Sequence, residues 1–320
     1  MFQTQFKQAA LAAMITALSA TVAPAMAAAP MAKTQAPGFQ RLMLGAFEVT
    51  VLSDGTVDLP VDQLLSDKPA KTQATLAKAH LAVPLETSVN AYLINTGSKL
   101  VLIDTGAGAL FGPTLGRLLT NLTAAGYDAS QVDEVYLTHF HGDHLGGLLS
   151  DGKPAFPNAT VRADQREAGH WLSQENMDKA PEDKKNFFKG AMATTQPYIA
   201  GGKFQPFNGD TQLVPGVRAT SAYGHTPGHT TYLVESEGKK LLLVGDLIHV
   251  GAVQFDNPSV TIKFDSDEKA AAAARKAAFT RAAKEGIMIG ATHISFPGVG
   301  YLFAQGSAYR WAPVNYTRQR

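Results

Sequence analysis

The sequence predicts an α/β domain in which apolar strands hand polar side chains to one shared site. Three observations carry that reading. Short apolar runs, such as Leu100-Val101-Leu102-Ile103 and Leu241-Leu242-Leu243-Val244, read as buried strands. They alternate with stretches of helical spacing. Residues able to bind metal stand at or near the ends of such runs, at 139–144, 225, 246 and 293. At 320 residues, 45% hydrophobic and 17% charged, the chain suits one large globular domain, or two lobes around a shared core, and no tandem repeat or linker marks a separable second domain.

Taken in order, residues 28–38 are rich in Ala and Pro and read as a flexible mature N-terminus, with a single domain over 39–320. Residues 47–52 read as a strand, Ser53-Asp54-Gly55 as a turn, and a second short strand follows. Residues 60–83 turn polar and helical and read as a segment lying over the site. Residues 90–95 and 100–103 form a predicted hairpin around Thr96-Gly97-Ser98, the second strand covered on both faces. Leu115, Leu118, Leu119 and Leu122 predict a helix over 113–126. Val135-Tyr136-Leu137 is the next strand, and 167–200 is helical in tone. In the second half, residues 231–234 and 240–244 pair across Glu237-Gly238. An Ala-rich helix covers 266–284, with Asp265 and Glu268 at capping-box spacing and Gly286 as its stop. A last strand, 287–291, delivers Thr292-His293.

The N-terminus has a different character. Lys7 precedes an apolar run over 9–18, and Ala25-Met26-Ala27 places small residues where a signal peptidase reads. The run is too short, and too soon broken by Pro24, to anchor the chain in a membrane. The expectation is a secretory signal over 1–27, cleaved near Ala27, and a periplasmic or secreted protein. Cleavage would remove one lysine and no acid, leaving 27 basic against 27 acidic residues. A neutral surface argues against nucleic acid and anionic membrane as partners. The chain contains no cysteine, which excludes disulfides, cysteine-ligated zinc and a cysteine nucleophile.

The chemistry concentrates in Thr138-His139-Phe140-His141-Gly142-Asp143-His144-Leu145-Gly146-Gly147. Histidines two apart share one side of a strand end, while Asp143 and His144 follow around the bend, so four donor side chains converge. His225, Asp246 and His293 complete five histidines and two aspartates, enough for two metals. An imidazole-rich set favours two zinc ions, with iron, cobalt or manganese as substitutes. An aspartate at a strand end can give one oxygen to each metal. A water held between two metals loses its proton near neutral pH, which makes a nucleophile without Ser or Cys. Consistent with that, the chain has no G-x-S-x-G.

The pattern resembles the metallo-β-lactamase fold superfamily and, within it, the methyl parathion hydrolase family with its dihydrocoumarin-type lactonases and arylesterases. The likeness covers nearly the whole mature chain. It includes Leu44-Gly45-Ala46-Phe47-Glu48, Pro84-Leu85-Glu86-Thr87-Ser88-Val89, Leu110-Phe111-Gly112-Pro113, Phe187-Phe188-Lys189-Gly190-Ala191-Met192 and Ser295-Phe296-Pro297-Gly298. The intervals fit as well: 81 residues from His144 to His225, 21 to Asp246 and 47 to His293. The resemblance implies an αββα sandwich of two mixed sheets with flanking helices, a two-metal centre and a homodimer. It implies that His139, His141 and His225 hold one metal, that Asp143, His144 and His293 hold the other, and that Asp246 bridges them. Asp104 would orient a ligand histidine, and His229 would be structural. His80 and His170 match no motif.

Four positions depart from the phosphotriesterase members of that family. Leu64, His249, Ile262 and Phe264 stand where those members carry Arg, Leu, Thr and Leu. Phe111, Trp171 and Phe187 match the family's aromatic pocket wall. A bulky Phe264 and a His249 near Asp246 narrow the space for a tetrahedral phosphotriester and leave room for a planar aryl lactone or ester. The expectation is therefore an aryl lactonase or arylesterase that uses a metal-bridging hydroxide, with weak phosphotriesterase activity. Its rivals are a parathion-type phosphotriesterase and a non-catalytic metal-binding protein of the periplasm.

Overall fold

In the computed structural model, which describes residues 29–317, the first sheet begins with β1 (Phe39–Leu44) and β2 (Phe47–Leu59). The signal-like stretch lies outside the described residues. Residues 29–36 are exposed and form neither helix nor strand. The short α1 (Val61–Leu64) and α2 (Pro69–Lys78) separate β2 from β3 (Leu85–Asn95) and β4 (Leu100–Ile103). Next come α3 (Leu118–Ala124), β5 (Glu134–Tyr136) and the one-turn α4 (Gly142–Leu145). A small hairpin of β6 (Leu149–Ser150) and β7 (Lys153–Pro154) precedes the sheet's last strand, β8 (Thr160–Arg162). The order β1-β2-β3-β4-β5-β8 is antiparallel through β4 and parallel beyond it.

Three helices follow: α5 (Gln165–Trp171), α6 (Gln174–Lys179) and α7 (Lys185–Ala200). The second sheet takes β9 (Thr211–Val214), β10 (Val217–Ser221), β11 (Thr230–Ser236) and β12 (Lys239–Leu243). After α8 (Gly251–Gln254) and α9 (Glu268–Glu285) it is completed by β13 (Met288–Gly290), β14 (Val299–Gln305) and β15 (Ala308–Pro313). Its order is β15-β14-β13-β12-β11-β10-β9, mixed because β12 and β13 run parallel.

Side-chain alternation explains the layering. On β4, Leu100 and Leu102 pack outward with Leu122 and Phe188, while Val101 and Ile103 pack inward with Val217, Tyr232 and Leu243. On β12, Leu242 turns away from that inner core to meet Phe279 of α9. The result is helix, sheet, sheet, helix, the predicted αββα class, with β4 covered on both faces as its composition requires. Near the site the two sheets are pinned together. Tyr136 stacks on Tyr232 at 5.7 Å, and the Tyr232 hydroxyl donates to the Leu137 carbonyl at 2.7 Å.

Two equivalent crossovers place the chemistry. After the β3–β4 hairpin, α3 returns the chain to β5, parallel to β4; after β11–β12, α9 returns it to β13, parallel to β12. Each crossover sets the C-terminal ends of two strands side by side. Asp104 then meets Thr138-His139 in one half, and Asp246 meets Thr292-His293 in the other.

Several local expectations need correction. No turn interrupts β2 at Ser53-Asp54-Gly55; the strand bulges there and continues to Leu59. The bulge aims the buried Asp54 carboxylate at the N–H groups of Ala107 and Gly116, both at 2.9 Å, and of Leu118 at 3.0 Å. That hold keeps residues 113–117 out of the predicted helix, which begins at Leu118. Residues 60–83 supply no side chain to the cavity lined by Asp143, Asp246 and His293, although Leu81 borders a separate cleft with His249 and His293. Val61, Leu65 and Leu76 pack with Val250, Val253 and Ile262, on the chain that leaves Asp246. The Ala-rich helix is capped by Asp267, whose side chain accepts from Ala270 N at 2.9 Å, and Asp265 has other work. Gly286 closes that helix in the left-handed conformation, as expected.

Candidate metal centre

Asp246 is buried at the centre of the constellation. Its Oδ1 lies 3.1 Å from Nε2 of both His144 and His293; its Oδ2 lies 3.2 Å from Nε2 of His225 and 3.5 Å from Nε2 of His139. His141 Nδ1 is 3.1 Å from His225 Nε2, and Asp143 Oδ2 is 3.5 Å from His293 Nε2. The donor atoms of His139, His141, His225 and Asp246 fall within 4.8 Å of one another, and so do those of Asp143, His144 and His293. The seven residues proposed from the sequence are thus brought together as two groups sharing one carboxylate.

The chemistry of the donors fits divalent metal. His139 Nε2, His144 Nε2 and Asp246 Oδ1 are buried without an aligned hydrogen-bond partner, although each has a polar neighbour within 3.5 Å or so. Close but misaligned lone pairs aim at a shared point, not at each other. Buried polar atoms without a partner cost about 1–3 kcal/mol each, so the arrangement calls for a cation.

The opposite ring nitrogens are fixed by the protein. His144 Nδ1 donates to Asp104 Oδ2 at 2.8 Å, His225 Nδ1 to Asp265 Oδ1 at 2.8 Å, His293 Nδ1 to the Ser88 carbonyl at 2.9 Å, and His139 Nδ1 faces Thr138 Oγ1 at 3.1 Å. Each bond directs a bare Nε2 inward. Asp104 also accepts from Thr138 N and from Thr138 Oγ1, both at 2.8 Å, and it does so from a left-handed backbone, φ 60°. Asp265 and Ser88 were not singled out from the sequence. Asp265 lies two residues ahead of the true helix cap, Asp267, and reads in sequence as the cap itself; a backbone carbonyl such as that of Ser88 leaves no trace in sequence.

Without metal, neighbouring carboxylates favour a proton on the ligand imidazoles of His144 and His225, and burial disfavours one on those of His139 and His141. Burial opposes charge on His225, but Asp246 and Asp265 outweigh it and hold the imidazole up at about 9. His144 is likewise raised, against burial, by Asp246, Asp143 and Asp104. Asp246 is buried too, yet His144 and His293 keep its carboxyl well below the usual range. Burial drives His139 and His141 the other way, well below the ordinary histidine value.

His229 and His249 take different parts. The buried His229 turns Nε2 to the backbone, accepting the Asp246 N–H at 3.1 Å, and burial followed by His225 pushes it down to about 3. It therefore positions the shared aspartate through its main chain. The neighbouring Gly245 has φ 51°, and a Cβ there would come within 2.8 Å of His229 Nε2, so this approach needs glycine. His249 donates from Nε2 to Asp246 Oδ2 at 3.1 Å, and its ring stacks on His293 at 5.0 Å. The set Asp246, His249 and His293 also falls within ligand distance.

A cavity of about 120 Å3 opens over Asp143, Asp246 and His293, walled by Phe111, Phe187, His249 and Phe264 with Val57, Leu59 and Leu115. Past His141 and Phe187 it meets an outer cleft of about 340 Å3 that includes Trp171 and His170. Trp171 stands edge-on to His141 at 5.6 Å. Leu64 and Ile262 are not among the residues lining either space. Ile262 is fully buried and packs with Leu64 in the cluster behind Phe264, so both act on the cavity through that ring. His80 is exposed, at the end of α2.

Comparison with known proteins agrees with this geometry. The metallo-beta-lactamase superfamily pattern matches residues 85–284, and the chain belongs to that superfamily. Its site has the donor set of a two-metal hydrolase. An atrochrysone carboxyl ACP thioesterase of Aspergillus novofumigatus is 30% identical over 157 residues, covering 49% of this chain and 37% of that protein. An N-acyl homoserine lactonase of Bacillus cereus is 25% identical over 205 residues, covering 58% of this chain and 72% of the lactonase. Among solved structures, the hydrolase AbOPH of the beta lactamase superfamily superposes with TM-score 0.85 at 34% identity, covering 89% of this chain and all of that one. AidC, a dizinc quorum-quenching lactonase bound to its product, superposes with TM-score 0.81 at 26% identity, covering 88% and 99%.

Proposed function

We propose that the protein is a two-metal hydrolase of aryl lactones and aryl esters, with phosphotriester hydrolysis as a side activity. The observation that carries the substrate class is the cavity over Asp143, Asp246 and His293. Phe111, Phe187 and Phe264 enclose a space of about 120 Å3, which favours a flat ring over a tetrahedral centre with three substituents. The lactonase names among the relatives support ring-opening of an ester, while the aromatic wall favours an aryl group.

Two bound divalent metals would supply a hydroxide nucleophile at neutral pH and a Lewis acid for the carbonyl oxygen. The chain does the rest. Asp104, Asp265, Ser88 and Thr138 fix the inward faces of the ligand histidines, and His229 fixes the backbone of Asp246. The three phenylalanine rings stack the substrate and exclude water from its apolar side. A phenolate leaves readily, so little proton donation is required at the leaving oxygen.

The test compares zinc-loaded, chelated and His141→Ala protein on dihydrocoumarin, phenyl acetate, an acyl homoserine lactone and methyl paraoxon. The proposal expects the highest kcat/KM on dihydrocoumarin or phenyl acetate, and loss of all activity in the chelated and variant samples. Preference for methyl paraoxon would replace the substrate class with phosphotriesters; preference for the acyl homoserine lactone would make the aryl wall irrelevant. Full metal loading without turnover would leave a binding protein.

A further inference from the structure

Glu167 is not among the donors proposed to hold metal, yet this carboxylate is fully buried at the start of α5. Its two oxygens divide between two loops. Oε1 accepts the Phe140 N–H at 2.8 Å, and Oε2 accepts the Gly228 N–H at 2.8 Å. Phe140 sits between His139 and His141, and Gly228 sits between His225 and His229. One carboxylate therefore spans the two segments that deliver all three imidazoles of the first metal group. The approach is tight, since a Cβ on Gly228 would come within 2.3 Å of Glu167 N. Burial raises the carboxyl's proton affinity, and the Thr226 side chain, the Phe140 and Gly228 N–H groups and the Trp171 side chain pull it back.

The second group is anchored elsewhere. His144 is held by Asp104, and its carbonyl accepts from Thr105 N at 2.7 Å and Thr105 Oγ1 at 2.8 Å. His293 is held by Ser88. On the strand side the two segments are joined by Thr230 N to the Thr138 carbonyl at 2.9 Å and by the Tyr232 hydroxyl to the Leu137 carbonyl at 2.7 Å, and Glu167 links the loops away from those strands.

We propose that Glu167 is a positioning residue for one metal of the pair: it sets the separation of His139 and His141 from His225, and leaves the position held by Asp143, His144 and His293 largely unaffected. This rests on the two-metal reading above. A carboxylate is required because both partners are donors. Gln would turn an NH2 group toward one of them, and Asp is one methylene too short to reach both.

The experiment measures zinc affinity by chelator competition for wild type, Glu167→Gln and Glu167→Asp, each also combined with His293→Ala or with His225→Ala. The His293→Ala background retains the first donor group, and the His225→Ala background retains the second. In the first background both Glu167 variants are expected to weaken zinc about 10- to 100-fold, the usual effect of losing an outer partner. In the second the change should stay within about twofold, as for independent sites. Equal loss in both backgrounds would show general loosening and overturn the proposal, and so would no loss in either. If Glu167→Gln fails to fold, the charge-retaining Glu167→Asp decides by the same comparison. Wild-type protein that binds fewer than two metals would sink the two-metal reading itself, a result separable from the contrast between backgrounds.

Discussion

Replacing Asp265 by Asn should weaken zinc binding, and the loss should depend on pH in a direction the structure fixes. The Asp265 side chain is fully buried. It accepts His225 Nδ1–H at 2.8 Å and Ile262 N–H at 3.1 Å. Both partners donate, so Asn can satisfy only one and must face the other with its own N–H. Losing an orienting carboxylate of this kind lowers metal affinity by about 10- to 100-fold, or roughly 1.4–2.8 kcal/mol. The same carboxylate also helps hold His225 up at about 9 in the metal-free protein. Asn removes that support, so below pH 9 a proton competes less well for Nε2 and part of the loss is offset. Chelator-competition titrations should therefore show the full loss above pH 9 and a smaller one near pH 7. Unchanged affinity at alkaline pH would refute the orienting role, and a loss that grows toward acid would refute the proton competition.

Three further outcomes follow from the geometry. In metal-free protein His229, at about 3 when folded against an ordinary value of 6.5, is a base depressed by folding. Its contribution is full above 6.5 and is lost as pH falls toward 3; denaturant unfolding at pH 5 and pH 7 should show His229→Gln, which retains an acceptor, to be the less acid-sensitive protein. His249→Leu with Phe264→Leu enlarges the cavity and frees Asp246 Oδ2 of a donor, so kcat/KM for methyl paraoxon relative to dihydrocoumarin should rise by about tenfold or more; an unchanged ratio would place specificity outside this wall. N-terminal sequencing of protein recovered from an exporting bacterial host should begin just after Ala27, and retention of Lys7 would refute cleavage there.

The legible part of the site was the part that chemistry forces into sequence. Metal donors must be His or Asp at strand ends, so His139, His141, Asp143 and His144 stood out, and the apolar runs led to His225, Asp246 and His293. The sandwich was legible for a similar reason, because Leu100 to Ile103 has no polar face and must be covered twice. What stayed hidden depends on which of two nearby residues wins a role. Asp265 and Asp267 both suit a helix cap, and only the register of α9 gives the cap to Asp267 and the imidazole to Asp265. Ser53-Asp54-Gly55 reads as a turn, but Asp54 is worth more gripping three N–H groups across a bulge. Ile262 and Leu64 read as pocket residues in sequence but lie behind Phe264, since sequence shows that a position matters to a space without showing from which side.

The walls of the cavity and the donors beneath it belong to different parts of the chain. Phe111 and Leu115 come from the loop before α3, Phe187 from α7 and Phe264 from the loop before α9, and none of these hydrogen-bonds a ligand imidazole, although the Phe187 ring lies 5.6 Å from that of His141. Most wall residues can therefore change without removing a hydrogen bond that orients a metal donor. His249 is the exception, because it lines the cavity and also donates to Asp246. A change there alters the room for substrate and the charge on the shared oxygen in one step, so its effect should depend on which wall residues have already changed. Routes from one substrate class to another would then be contingent on order, with position 249 as the branch point.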